Sequence, residues 1–308
     1  MSKRVVLFGE CMLELQGQAF GPMQQGFGGD TLNTAVYLAR CSAGALQVGY
    51  ATALGDDGLS TGLLDRWQAE ALDTGLVQRL PGRMPGLYLI EVDAHGERSF
   101  SYWRDHSAAK AYFDAPETPL ERAADQIDAF YTSGISLAIL PAAGRERLFA
   151  LMARLRARGA SVVFDNNYRP RQWPHRAEAL DCFDRAYALA SIALVTADDE
   201  QALRALPTLA AAVEAASALP CPEVVVKRGS QPTLVRTASG VQEIATERVD
   251  KVVDTTAAGD SFAAGYLAVR LQGGSVLAAA TQGNRLAARV IQHRGALIPL
   301  AAMADFLL

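Results

Sequence analysis

Asp260 closes a run of small residues in VVDTTAAGDSFAAGYLAVRLQGG, from Val252 to Gly274. Val252 and Val253 read as the end of a strand, and Phe262–Leu271 has the apolar spacing of a buried helix stopped by Gly273 and Gly274. An Asp at that junction can be an N-cap that accepts from first-turn amides. A cap, however, does not require Ala257, Ala258 and Gly259 in front of it. Small residues let a ligand approach the backbone, and amides at a helix start attract phosphate. An acid beside such an anion site is placed to act as the base in phosphoryl transfer.

Three other stretches carry groups of the right type. In GFGGDTLNTAVYLARC, Gly28 and Gly29 precede a helix and let a polyol approach the backbone, while Asp30 and Asn33 can bond its hydroxyls; Asp30 can equally be an N-cap. That glycine spacing is not the dinucleotide fingerprint, and neither a Walker loop nor G-x-S-x-G occurs. FDNNYRPRQWP places Asp165, Asn167 and Arg169 at alternating positions just beyond a buried strand, where ligands of open α/β sheets bind. FSYWRDHSAAK puts Tyr102 and Arg104 on one face of a strand and Trp103 on the other. Aromatic packing and solvated arginines account for each residue singly but poorly for the set. The turn Gly55–Gly58 is assigned no chemistry.

The elements that must position these groups alternate along the chain. RVVLFG, QVGYATAL, AFYTSG, SVVFDNN, IALVTA, EVVVKRG and PTLVRT read as strands. Helical patterns lie at Thr31–Cys41, Ser60–Ala71, Arg145–Arg158, Arg176–Leu189, Glu200–Leu206 and Leu209–Ala218. That rhythm predicts an α/β fold with a central, mainly parallel sheet covered on both faces. Gly86–Arg104 breaks it with a β-hairpin that turns at DAHGE, where Gly96 is the flexible position. CMLELQG and Met23–Gln25 are expected to pair with this hairpin as a small antiparallel lid. We expect one domain over residues 1–308, with the lid built from about 11–26 and 86–104, and no internal repeat.

Composition narrows the partners. The chain has 308 residues, half of them hydrophobic, and a formal net charge of −4, with no dense basic run for nucleic acid. Four dispersed cysteines form no C-x-x-C and predict reduced thiols in a cytoplasmic protein; four dispersed histidines offer no zinc spacing. Glu10 interrupts the N-terminal apolar run too early for a secretory signal, and no stretch is suited to span a bilayer, so no membrane partner is expected.

In combination these motifs resemble the ribokinase-like (PfkB-type) sugar kinases. The family's first signature is similar to GGDTLNTA and its second, D-T-x-G-A-G-D, to DTTAAGD, with LGDDGLSTGLL between them at the expected place. The resemblance spans the chain from the first strand to the last helices. It implies that Asp260 deprotonates a sugar hydroxyl, while amides at Ala258, Gly259 and Asp260 receive the phosphoryl group. Ala257 stands where the pattern usually has Gly, which requires negative φ there. It also implies ATP with Mg²⁺, and leaves a monovalent cation open. Lys227 and Gly229 resemble the nucleotide loop, Asn167 falls on the same side, and Asn284 falls near the expected adenine unless it is a helix-surface amide. Glu200 matches the Glu of the family's N-x-x-E element, with Ala197 at the Asn position, and would act on Mg²⁺ through water; Asp198 and Asp199 either share that work or cap a helix.

Within the family, Y-x-R followed by S-A-A on the lid and N-x-R-P after the strand closely resemble the 2-keto-3-deoxygluconate kinases. A sugar acid needs arginines that a neutral sugar does not, because guanidinium matches carboxylate bidentately. Arg104 and Arg169 are expected to hold the acid, with Tyr88 and Tyr102 on its hydroxyls. A neutral ketose such as fructose is the alternative substrate, and a non-catalytic sugar-acid sensor the alternative role. The apolar outer face of the lid predicts a homo-oligomer, a dimer through the lid.

Overall fold

The computed structural model describes residues 2–92 and 98–306. The turn expected at DAHGE, Gly96 included, lies outside the described residues. Strands are β1 (Lys3–Phe8), β2 (Met12–Gly17), β3 (Met23–Gly28), β4 (Leu46–Leu54), β5 (Val77–Arg79), β6 (Gly86–Val92), β7 (Arg98–Trp103), β8 (Ala129–Ser133), β9 (Ser161–Asp165), β10 (Ile192–Thr196), β11 (Glu223–Arg228), β12 (Gln231–Thr237) and β13 (Gly240–Ile244). Helices are α1 (Asp30–Ser42), α2 (Gly58–Ala69), α3 (Pro119–Arg122), α4 (Gly134–Ile139), α5 (Ala142–Ala157), α6 (Arg176–Leu189), α7 (Ala197–Arg204), α8 (Leu209–Ser217), α9 (Ala258–Arg270) and α10 (Val276–Val290). None of them is long and apolar enough to cross a membrane.

Nine strands form one sheet in the order β13-β12-β11-β10-β9-β8-β1-β4-β5. Every pairing from β11 to β5 is parallel, and β12 and β13 add antiparallel at one edge. Successive side chains of a strand leave opposite faces, so the buried runs feed two cores. From β1, Val6 and Phe8 join Phe130, Phe164 and Val226 on the face covered by α5 and α6, while Val5 and Leu7 join Tyr50, Val163 and Val225 under α1 and α9. The strands absent from the sequence reading have physical excuses. β5 has three residues, and β13 is exposed at four of its five positions, so neither shows an apolar pattern.

The lid is a second sheet in the order β3-β2-β6-β7. Its two hairpins, β2–β3 and β6–β7, are antiparallel as expected, but they meet along a parallel pair, with Met12 opposite Gly86 and Gln16 opposite Ile90. Both middle strands run outward from the main sheet, β2 directly after β1 and β6 after β5, which is why they lie parallel.

The start of α9 is held in place by close packing on α10. A Cβ on Gly283 would sit 2.8 Å from the Phe262 carbonyl oxygen, and one on Gly265 would sit 2.9 Å from the Gln282 carbonyl oxygen. The two helices touch backbone to backbone, which only glycine allows. Gly283→Val should therefore cost about 1–3 kcal/mol by overpacking, read as a lower midpoint in urea unfolding. An unchanged midpoint would show that α10 can move off α9 freely.

Candidate active site

The carboxyl ends of the parallel strands open on one crevice, as open α/β sheets require. Asp165 ends β9, Thr196 ends β10, and Lys227 lies at the end of β11. Helices α1 and α9 start beside them, and Tyr88, Phe100 and Tyr102 of the lid lie above. Together these elements line a cavity of about 430 Å³ that includes Gly28, Gly29, Asp30, Asn33, Asn167, Arg169 and Asp260.

Asp260 is the third residue of α9 and not its cap. The cap is Ala257, whose backbone is left-handed at φ 60°, and no side chain caps the helix. The Asp260 carboxylate instead accepts a 2.9 Å hydrogen bond from Asn33 Nδ2 on α1. Burial pushes its pKa up to about 8, the negative charge of Asp30 adds to the rise, and the Asn33 bond and Lys227 oppose it. Asp30 is raised as well, again mainly by burial. It is likewise no cap: Gly29 holds that position, and the Asp30 carboxylate accepts from Asn167 Nδ2 at 2.8 Å. Both acids have side-chain partners on other elements, and Asp30 keeps the Thr31 amide of its own helix as well. They are thus left as acceptors in a shared crevice.

A second cavity, of about 650 Å³, lies on the other side of the α9 start and is lined by Gly229, Thr233, Val252 and Asn284 among others. The two cavities share Thr196, Lys227, Thr255, Ala258 and Gly259. Lys227 Nζ is bound between the two oxygens of Asp165 at 2.9 and 3.1 Å, and a Cβ on Gly259 would lie 3.5 Å from it. Two ligands could thus meet at a helix start, with an ammonium beside them and a carboxylate of raised pKa on one side. This is the layout of group transfer between a hydroxylic and a polyanionic substrate.

The model of the pfkB family carbohydrate kinases matches residues 2–303. The chain belongs to the PfkB family of carbohydrate kinases. It is 47% identical to the 2-dehydro-3-deoxygluconokinase of Escherichia coli over 98% of this chain and 99% of that one. The Dickeya dadantii protein of the same name is 46% identical, over 98% and 99%. A solved aminoimidazole riboside kinase from Salmonella enterica, in complex with aminoimidazole riboside and an ATP analog, superposes with a TM-score of 0.82 at 25% identity, covering 99% of each chain.

Several expectations for this PfkB kinase need correction. Ala257 does not keep negative φ; the chain turns left-handed there despite the methyl group. Of the expected anion-hole amides, that of Ala258 donates to the Thr255 carbonyl at 3.2 Å, so Gly259 and Asp260 carry the amides without a partner inside the helix. Gly28 and Gly29 are small for reasons beyond a ligand: a Cβ there would sit 3.0 Å from Tyr88 Oη and 2.2 Å from the Glu10 carbonyl oxygen. Asn284 is no surface amide. It is buried, accepting from Thr233 Oγ1 at 2.8 Å and donating to the Ala245 carbonyl at 3.1 Å.

Glu200 does not face either cavity. It is fully buried, accepting from Tyr187 Oη at 2.8 Å and pairing with Arg204. A buried carboxylate needs such partners, and its neighbour Asp199 lines the cleft instead, 3.2 Å from Arg169. Arg104 is absent from the first cavity but lines an adjoining one of about 620 Å³, which shares Phe100, Tyr102 and Arg169 with it. Tyr88 lies on the cleft, hydrogen-bonded to Glu14. Phe100 and the Lys227–Asp165 pair were missed as site features. Phe100 was hidden in the hairpin alternation, whereas Asp165 had been noted at its strand end, a usable signal.

Two outcomes follow from Asp260 and Ala257. A base works only when deprotonated, so a pKa near 8 means that kcat/KM should fall about tenfold per pH unit below pH 8 and level off above it. Asp260→Asn should lose roughly 10²–10⁴ in kcat, without the pH slope. A flat wild-type profile, or a fully active Asn variant, would remove Asp260 as the base. Ala257→Gly should stabilise the fold, since relief of about 1–2 kcal/mol of left-handed strain outweighs the entropy that glycine adds to the unfolded chain, seen as a higher urea midpoint; a lower midpoint would mean that the methyl group packs usefully.

Proposed function

We propose that this chain phosphorylates the C6 hydroxyl of 2-keto-3-deoxygluconate with ATP, giving 2-keto-3-deoxy-6-phosphogluconate and ADP. The reading rests on the junction where the sugar-side and nucleotide-side cavities share the start of α9, together with the identity to 2-dehydro-3-deoxygluconokinases. The sugar acid sits under the lid against Asp30, Asn33, Tyr88 and Tyr102, and ATP occupies the cavity of Gly229 and Asn284. Asp260 takes the proton of the C6 hydroxyl as its oxygen bonds to the γ-phosphorus, and the bond to the β–γ bridging oxygen breaks. The amides of Gly259 and Asp260 and the ammonium of Lys227 receive the charge on the phosphoryl oxygens.

Mg²⁺ bound with ATP supplies charge neutralisation on the phosphates. No group of three or more His, Cys, Asp or Glu among the described residues could hold a metal ion by itself. The fit is therefore to a metal carried in by phosphates, with Asp199 among the cleft carboxylates and its neighbour Glu200 buried away from them. A monovalent ion belongs to this reading only as an open element. The kinase works as one unit of 308 residues in the cytoplasm, where its four buried, unpaired thiols stay reduced. It pairs through the lid, whose Phe20 and Trp103 are exposed and line neither cavity.

Arg169 decides the substrate class. Its guanidinium lines the sugar cavity half exposed, and Asp199 is its one carboxylate partner among the described residues. A sugar carboxylate leaving water there needs such a partner. Charge-assisted bonds contribute about 1.5–3 kcal/mol each, so Arg169→Leu should raise KM for the sugar acid by about one to two orders of magnitude. KM for ATP should move far less. Equal losses on the acid and on a neutral ketose would mean that Arg169 serves the phosphates, and the sugar-acid assignment would fall.

A further inference from the structure

Glu10 is used by nothing described so far. It follows β1, its side chain is 1% exposed, and it forms an ion pair with Arg104, whose side chain is 11% exposed at the end of β7. One carboxylate oxygen, Oε1, and the Arg104 Nε have no hydrogen-bond partner among the described residues. A buried ion pair this incompletely satisfied costs stability rather than adding it. The structure is nevertheless shaped around it. A Cβ on Gly86, the first residue of β6, would lie 2.9 Å from Met12 Cγ, 3.0 Å from Glu10 Oε1 and 3.1 Å from Arg104 Cβ, so a side chain there would press on Met12 and on the pair. The Glu10 carbonyl in turn lies against Gly29, the cap of α1. Glu10 therefore joins three things at the root of the lid: β1, an interior strand of the main sheet, the helix carrying Asp30 and Asn33, and the last lid strand.

We propose that Glu10 is a positioning residue for substrate specificity. It grips Nη2 of the Arg104 guanidinium, whose Nε is buried, and thereby aims the terminal donors that remain at the cavity that Arg104, Tyr102 and Arg169 line. A guanidinium so held keeps its place without an anion, and a sugar carboxylate meets it already oriented, with less side-chain entropy to lose. Glu10 touches no reacting atom and acts only through Arg104. The inference rests on the sugar-acid reading above.

The test is steady-state kinetics on the sugar acid, a neutral ketose and ATP, with unfolding midpoints recorded for each variant. Glu10→Gln keeps the shape and removes the charge. It should raise KM for the sugar acid roughly tenfold, the effect of one charge-assisted bond, with kcat and KM for ATP within about twofold of wild type by the same reckoning. Glu10→Asp should recover part of the loss. In an Arg104→Ala background the Gln substitution should add nothing further, because its effect runs through the arginine. An unchanged or lowered KM, equal losses on acid and ketose, or full additivity with Arg104→Ala would each overturn the proposal. If Glu10→Gln does not fold, the Glu10→Asp and Arg104→Lys pair carries the same cycle. Absence of wild-type turnover on the acid would fail the kinase reading itself, and calorimetric titration of the acid into the same variants then decides Glu10 separately.

Discussion

Three carboxylates, Asp30, Asp165 and Asp260, converge at the carboxyl ends of the strands, and a single ammonium, Lys227, lies among them. Withdrawing like charges from water into one crevice is costly unless each finds a partner. Asp165 takes Lys227, Asp260 takes Asn33, and Asp30 takes Asn167. What remains uncompensated appears as raised proton affinity on Asp30 and Asp260. The rest of the site depends on this imbalance, since a carboxylate that holds its proton tightly is a useful base and a poor surface charge. The glycine contacts between α9 and α10 and the two-sided packing of the sheet serve to keep these groups in register.

The cluster also explains the division of labour between the cavities. Asp260 lines the cavity under the lid, Lys227 and the first residues of α9 stand at the junction, and the larger cavity carries no carboxylate except Glu247. Negative charge is concentrated in the cavity under the lid and thinned in the larger one.

Much of this was legible along the chain. Seven strands of the main sheet and seven of the helices stood out because burial on two faces imposes continuous apolar runs, and burial of one helical stripe imposes a 3.6-residue period. β5, too short, and β13, exposed on nearly all its length, left no such trace. The signatures around Asp30 and Asp260 located the site because small residues ahead of an acid are scarcely required by a helix cap alone. Glu200 misled because an acid in the right sequence position says nothing about which way its side chain turns; Arg204, four residues on, and Tyr187 from another helix claimed it. Arg104 was rightly read as a lid arginine, but its tie to Glu10 joins residues 94 positions apart.

The sequence by itself determined the fold class and the kinase family, because these follow from local periodicity and from motifs whose spacing is covalent. Only the tertiary structure decided who partners whom. It turned Ala257 left-handed, moved the cap role off Asp30 and Asp260, exchanged Glu200 for Asp199 at the cleft, and set Lys227 on Asp165. Those outcomes depend on desolvation and on contacts between distant segments. Such terms arise only once the chain has closed upon itself.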